Sequence, residues 1–243
     1  MQKVRWTMDY KNTATMASNT KPLTLYSHAG GPNPHKVAII LNALSIPYTN
    51  KFMDFPDLKK APFEAINPNG RVPALEDPNT NITVWESGAC IDYLLETYDT
   101  SNTLHAKSGA QKWAQKSWSH FQTSGQGPYY GQRAWFVLYA PEKIELCLNR
   151  YSDEIKRVLG VIDRHLKSSG QKFLTGNEAS YADLMFVPWH WLLLQKPFIN
   201  GEEFPKEFES FFPTAWEWHK RLSGIDAVEK AREARNQAMN KGH

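Results

Sequence analysis

The sequence predicts a two-domain α+β protein, a β-α-β/β-β-α half followed by an all-α-helical half. Three observations carry this. Over the first hundred residues, short apolar runs alternate with amphipathic helical patterns. After about residue 104 the strand signals stop and only helical spacing remains. The length, 243 residues, suffices for two modest domains.

Residues 1–21 are polar and aperiodic and are expected to form an N-terminal tail. Leu23 to Tyr26 is the first strand candidate. A Gly/Pro break follows, Gly30-Gly31-Pro32-Asn33-Pro34. Val37, Ile40, Leu41 and Leu44 then fall on one helical face, with Asn33 suited to the N-cap and Pro34 to the first helical position. Tyr48 to Phe55 is a second strand, parallel to the first by the usual crossover logic. Asp57 to Ala65 is a short helical or irregular piece. Val72 to Leu75 and Ile82 to Trp85 are two short strands joined by the turn-rich Asp77-Pro78-Asn79-Thr80-Asn81. A helix runs from Ser87, with Ile91, Leu94, Leu95 and Tyr98 on one face. The first domain therefore spans residues 22–100.

The helical domain is expected over residues 106–238. A long helix fits Ala110 to Tyr139, kinked near Gly125, Gly127 and Pro128. Pro141 is read as opening the next helix, whose face is Tyr151, Ile155, Val158, Leu159 and Ile162. Ser180 and Asp183 resemble a capping box before Leu184 to Val187. Lys196 to Phe212 reads as loop, and further helices fit Thr214 to Leu222 and Ala227 to Met239.

Composition narrows the function classes. Hydrophobic residues make up 41% and charged residues 22%, enough for a buried core and unlike a disordered chain. Aromatics reach 13%, including nine Trp, which suits an apolar ligand cleft as well as a thick core. A net charge of +3, with no block of five or more like charges, argues against a nucleic-acid surface. Cys90 and Cys147 form no CxxC, and no His/Cys cluster has metal spacing, so no metal is expected. Two thiols make no disulfide framework, and a reducing compartment is the simpler expectation. The longest apolar run, Leu184 to Leu194, is broken by Pro188 and His190 and falls far short of the roughly 20 residues that span a bilayer. No apolar leader is visible, and a cytoplasmic location is expected.

Several residues are placed for chemistry. Val72-Pro73 enters the third strand. X-Pro bonds are cis in only about 5–6% of cases. A plain trans strand entry is one reading; a cis bond that turns the Val72 N–H and C=O outward, to pair with an extended peptide, is the other. Glu86-Ser87 opens a helix directly after a strand, where free N–H groups and the dipole favour a carboxylate and Glu86 suits an ammonium; Ser87 as an ordinary N-cap is the plainer alternative. Arg71, Lys59 and Lys60 are basic neighbours that can face a second carboxylate or remain solvated charge. Asn33 lies where the first strand hands over to the first helix. A thiol held there meets an amide donor and the positive helix end. A free thiol, with a pKa of about 8.5, is only about 3% thiolate at pH 7, and lowering that pKa by about two units takes about 2.7 kcal/mol. One hydrogen bond to a charged group supplies roughly 1.5–3 kcal/mol and a helix terminus roughly 0.3–1 kcal/mol, so the sum suffices. Tyr26, Ser27 and His35 compete for the same role by proximity in sequence. Cys90, among Ala89, Ile91 and Leu94, reads as packing. The run from Gln122 to Gln126 with Tyr129 and Tyr130 is a candidate cleft lining.

The order of these signals resembles the glutathione transferases, in particular the fungal branch related to the yeast nitrogen-regulating prion protein. The matching stretches are Leu25 to Asn33, Ile66 to Leu75 and Trp85 to Ala89 in the first half. In the second half they are Phe121 to Gly125 with Gly127-Pro128, and Tyr181 to Leu184 with Phe186 to Trp189. The resemblance covers about residues 22–238. It implies a thioredoxin-like first domain and a homodimer. It implies that Pro73 is cis, that Val72 pairs with the cysteinyl part of glutathione, and that Glu86 and Ser87 hold its γ-glutamyl end. Arg71 and Lys59 fall where this branch has basic groups near the ligand, and Asn33 where it has an Asn near the sulfur. Other branches place a catalytic Tyr, Ser or Cys near the end of the first strand; Asn33 is favoured here as the catalytic residue, with Ser27 and Tyr26 behind it. Ser27, Gln126 and Tyr130 are the expected substrate-pocket residues. The resemblance thus implies a detoxifying transferase that uses glutathione as co-substrate and conjugates it to a small apolar electrophile. A glutathione-dependent isomerase or tailoring enzyme of secondary metabolism, and a non-catalytic glutathione-binding regulator, are the alternatives. An Asn-rich tract like the regulator's is absent from residues 1–20.

Overall fold

In the computed structural model, residues 20–194 and 204–242 are described. Contacts divide the chain into two units, one made of the residues up to His105 together with those from Gly224 onward, the other of Ala106–Ser223. The first unit is built on a four-stranded mixed sheet. Its elements are β1 (Leu23–Ser27), α1 (Pro32–Ala43), β2 (Tyr48–Phe52), a single helical turn α2 (Ala61–Glu64), β3 (Ala74–Asp77), β4 (Ile82–Trp85) and α3 (Ser87–Tyr98). The strand order is β2-β1-β3-β4, with β1 and β2 parallel and the other pairs antiparallel. The apolar β1 is central, and Leu23 and Leu25 are wholly buried. Behind the sheet, Val37, Ile39, Ile40 and Leu41 of α1 are 0% exposed; each such side chain contributes roughly 1.5–3 kcal/mol of burial.

Element ends differ from expectation for local reasons. The second strand stops at Phe52, and Phe55–Asp57 forms a 3₁₀ turn with Pro56 inside it. The third strand pairs only from Ala74, because Pro73 has no N–H for the ladder. The first helix starts two residues early: Gly31 is the N-cap and Pro32 the first helical residue, so Asn33 is not the N-cap. Lys21, expected in the tail, is held to the β3–β4 turn by two hydrogen bonds with Asn79, at 2.9 and 3.0 Å. The rest of the expected tail, before Thr20, lies outside the described residues.

The second unit is helical. A helix α4 (Gly109–Phe121) passes through a π-helical turn, Gln122–Gln126, into α5 (Gly127–Leu138). This is the expected kink, and its cause is the missing N–H of Pro128, which widens the turn before it. A Cβ on Gly131 would stand 3.3 Å from the Trp189 ring, so glycine lets that indole lie against α5. The next helix, α6 (Glu145–Ser169), begins four residues after Pro141, which sits in the preceding bend. Its buried face includes Ile155, Val158, Leu159 and Ile162 as expected, whereas Tyr151 is half-buried. Then come α7 (Tyr181–Leu184), with the reciprocal Ser180/Asp183 capping box, and α8 (Val187–Leu193). The segment read as loop contains α9 (Phe204–Phe211), and its start, residues 196–203, lies outside the described residues. Helix α10 (Pro213–Ser223) follows.

The last helix, α11 (Asp226–Asn240), was expected in the helical domain but joins the first unit. It packs on α1, burying Ala227, Val228, Ala231 and Ala238, and Asn42 donates to the Ala227 carbonyl at 3.2 Å. Small side chains on that face allow the close approach. Among the described residues, no helix is long and apolar enough to cross a membrane.

Candidate functional site

Strand register brings the candidate residues of the first unit together. Tyr26 pairs with Ala74, and Ala74 pairs with Trp85. The end of β1, the start of β3 and the end of β4 therefore meet at one edge of the sheet. From that edge β1 leads to the first turn of α1 with Asn33, Val72 precedes β3, and β4 runs into Glu86 and Ser87.

The Val72–Pro73 peptide is cis. Val72 leans its side chain on the cluster of Tyr26, Leu58, Phe63 and Ala74. Among the described residues, neither its N–H nor its C=O has a backbone partner, so both are available to an extended ligand. The preceding loop is tied internally. Asn67 is 2% exposed; its side-chain oxygen accepts from the Asn69 N–H at 2.9 Å and its amide donates to the Arg71 carbonyl. Gly70 has φ +57°, and a Cβ there would stand 2.7 Å from the Leu58 carbonyl oxygen, so only glycine fits. Lys59 is exposed and donates to the Asn69 carbonyl at 2.7 Å, closing the same loop. Arg71 is exposed, and Lys60 pairs with Asp57 at 2.5 Å.

Glu86 has φ +71° and serves as N-cap of α3, with Ser87 as the first helical residue rather than the cap. Ser87 is 4% exposed while Glu86 is exposed, so an anion there meets the helix end and Glu86 remains open to a cation. One residue missed by sequence reasoning lies nearby. Lys36, on the buried face of α1, is 2% exposed, and burial pushes its pKa down to about 7 against the opposing fields of Glu86 and Cys90. Its signal was a lysine inside a run of apolar helix positions, easily passed over because lysines usually reach solvent. Cys90 is wholly buried, donates weakly to the Val84 carbonyl at 3.5 Å, and is pushed up to about 12 by burial and then by Glu86. It is a packing residue, as expected.

Tyr26, Ser27 and His35, which compete with Asn33 by proximity in sequence, are all buried. Tyr26 is 6% exposed and donates to Glu76 at 2.9 Å; burial, then Glu76, raises its pKa to about 12. Ser27 is 0% exposed and donates to Asn50 on β2. His35 is 1% exposed, with Nε2 against the Ala29 carbonyl at 3.0 Å, and burial lowers its pKa to about 4. Asn33 is half-buried and is the only N–H donor among the first three helical residues, since Pro32 and Pro34 flank it. His28 accepts from the Gly30 N–H at 3.1 Å and packs its ring 4.1 Å from Phe55.

The expected substrate-pocket residues are corrected by burial. Ser27, Gln126 and Tyr130 are each 0% exposed. Gln126 accepts from Gln122 at 3.0 Å and donates to the Phe186 carbonyl at 3.2 Å, so it ties the π-helical turn to the core. Tyr130 packs against Trp189 with ring centroids 6.3 Å apart.

Comparison with known proteins finds relatives of both halves of the chain. Residues 21–96 match the glutathione S-transferase N-terminal domain and residues 133–235 the C-terminal domain. The glutathione S-transferase-like protein gedE of Aspergillus terreus is 42% identical over 209 residues, 83% of this chain and 90% of that protein. Glutathione S-transferase 2 of Schizosaccharomyces pombe is 41% identical, covering 84% of this chain and 92% of its own. Among solved structures, the glutathione transferase URE2P6 of Phanerochaete chrysosporium, in complex with oxidised glutathione, aligns with a TM-score of 0.82 at 42% identity, over 92% of this chain and 100% of that one.

Proposed function

The chain belongs to the glutathione S-transferase family, and from that premise we propose that it binds glutathione at the Val72–Ser87 edge and conjugates its thiolate to a small apolar electrophile. The observation that carries the reading is the register Tyr26–Ala74–Trp85, which sets Val72, Glu86, Ser87 and the first turn of α1 at one end of the sheet. The cysteinyl backbone of glutathione pairs with the open N–H and C=O of Val72 as an added strand would. Its γ-glutamyl carboxylate takes the Ser87 hydroxyl and the N-terminus of α3, and its ammonium takes Glu86. Arg71 and Lys59 stand near the glycyl end. The Asn33 amide donates to the sulfur and favours the thiolate; about 2.7 kcal/mol, for a pKa about two units lower, is within reach of one charge-assisted bond and the helix end. A cytoplasmic homodimer goes with this reading, the exposed Ile82 and Trp85 of edge strand β4 being the surface for the second copy.

Retention on immobilised glutathione and turnover of chlorodinitrobenzene test the proposal. Wild type is expected to do both. Ser87→Ala is expected to weaken glutathione binding, and Asn33→Ala to lower turnover by about tenfold or more while raising the pKa seen in the ultraviolet absorbance of the bound thiolate. No retention, together with no effect of free glutathione on the melting temperature, overturns the reading. Turnover of a natural substrate without consumption of glutathione moves it to an isomerase.

A further inference from the structure

Strand β2 is the outer strand of its sheet: β1 covers one side and, among the described residues, no strand covers the other. Its pairing with β1 fixes which backbone groups stay open. The Pro47 carbonyl accepts from the Leu23 N–H at 3.0 Å, and the Met53 N–H donates to the Ser27 carbonyl at 2.7 Å. Backbone groups alternate sides along a strand, so Pro47, Thr49, Lys51 and Met53 turn to β1, while Tyr48, Asn50 and Phe52 turn outward. Among the described residues, the N–H and C=O of Tyr48 and Asn50 have no backbone partner.

Helix α11 lies alongside this open edge. Asn42 holds the Ala227 carbonyl and His35 feels the charge of Arg235, so α11 runs back along α1 and therefore in the direction of β2. Between strand and helix is a cleft of about 320 Å³, lined by Tyr48, Asn50 and Phe52 and, on the helix, by two alanines with Gln237 and Lys241. The short alanine side chains leave the strand edge within reach. The polar lining consists of donors. The Ser27 hydroxyl occupies the Asn50 side-chain oxygen and leaves its amide N–H groups. Gln237 and Lys241 are exposed, and Lys241 is the one charge among these lining residues. An open strand edge beside an ammonium and amide donors fits an extended chain that carries carboxylates. The exposed Lys51 on the same strand opposes pairing with the edge of another copy.

We propose that the open edge of β2 and α11 together form a docking site for an acidic, extended segment of a partner protein, which adds to β2 as a further strand. Its main chain pairs with Tyr48 and Asn50, and carboxylates on alternate residues meet the Asn50 amide and Lys241. The cleft shares no residue with the Val72–Ser87 edge and does not rest on the glutathione reading.

Fluorescence anisotropy of the full chain with a labelled peptide of alternating Val and Glu, at saturating glutathione, tests this. The controls are the same peptide N-methylated throughout and a peptide of alternating Val and Lys. Wild type is expected to bind the Val/Glu peptide about tenfold or more tightly than either control. Bound peptide is expected to slow hydrogen exchange at the Tyr48 and Asn50 amides and to leave Thr49 and Lys51, already turned to β1, as they were. Lys241→Glu, an exposed change at the end of α11, is expected to lower the affinity about tenfold and to leave retention on glutathione unchanged. No binding, equal binding of the N-methylated peptide, affinity that survives Lys241→Glu, or slowed exchange that spares Tyr48 and Asn50 each overturns the proposal. Protection of those two amides without peptide, rising with protein concentration, assigns the edge to a second copy and overturns it as well.

Discussion

At Asn67 two hydrogen bonds hold the loop that presents Val72, one to the Asn69 N–H and one to the Arg71 carbonyl. With the side chain only 2% exposed, Asn67→Ala leaves both partners without the amide and is expected to cost about 1–3 kcal/mol. On the proposed placement of glutathione, Asn67 stands behind the ligand rather than at the sulfur, so the loss should fall on binding. The expected result is a lower melting temperature and a glutathione dissociation constant raised several-fold, with the maximal turnover rate nearly unchanged; a change in turnover alone contradicts it. This residue also marks what sequence reading reached and missed at the site. Val72, Glu86 and Ser87 could be named as candidates because a strand entry and a helix start are local signals, and the structure gives Val72 a cis bond to Pro73 and Ser87 the first helical position. Asn67 was read only as part of a matching stretch and Lys36 not at all, since their contacts depend on where the loop folds back and on α1 packing with α3. Ser27, Gln126 and Tyr130 differ from the pocket expectation because each is 0% exposed: Ser27 bonds Asn50, Gln126 bonds the Phe186 carbonyl, and Tyr130 packs its ring on Trp189.

The helical unit has an analogous anchor at the scale of elements. Asp183 is 0% exposed and accepts from the Leu174 N–H at 2.8 Å, the Ser180 N–H at 3.0 Å, the Ser180 hydroxyl at 2.9 Å and the Trp218 indole at 2.9 Å. It caps α7 and joins it to α10 and to the turn after α6. Asp183→Asn replaces one acceptor oxygen by a donor that faces donors. The expected loss is about 2–4 kcal/mol, larger than the roughly 1 kcal/mol of a capping serine, so Asp183→Asn should melt well below Ser180→Ala. Equal melting temperatures would show that only the cap matters. This box was legible because its two partners are three residues apart. Helix starts were less so. Pro32 and Pro34 both fit a first helical position, and the earlier one won. Pro141 fits one too, yet the helix waits until Glu145. Helix α9 lies in the segment read as loop, and Pro205 stands in its first turn, where proline is tolerated. The allegiance of α11 had no local signal at all, since its alanine face fits any neighbour that comes close.

Across the whole molecule, buried neutral histidines make the fold sensitive to acid. His35 lies in the first unit, held near a pKa of about 4 by burial, and His190 in the second, held well below the usual 6.5 by burial and by His219. His190 and His219 face each other Nδ1 to Nδ1 at 3.3 Å, with Phe208 and Trp218 rings around His190, so a second proton there meets a like charge in an apolar enclosure. In the unfolded chain each histidine takes a proton near pH 6.5. Below that value the unfolded state binds more protons than the folded state, so stability is full above about pH 6.5 and falls as the pH drops. For His35 the fall runs from about pH 6.5 to about pH 4 and, at about 1.4 kcal/mol per pH unit, comes to about 3 kcal/mol. The low-pKa carboxylates Asp77 and Asp99 act in the same sense further down, where protonation takes them from their donors. The urea midpoint is therefore expected to be flat near neutrality and to decline steadily through the range where His35 charges. His35→Gln keeps an N–H for the Ala29 carbonyl but cannot take up the proton, so it should lower stability at neutral pH only slightly and make the decline shallower. A variant that declines as steeply as wild type would place the acid sensitivity elsewhere, with His190 and His219 the next pair to replace.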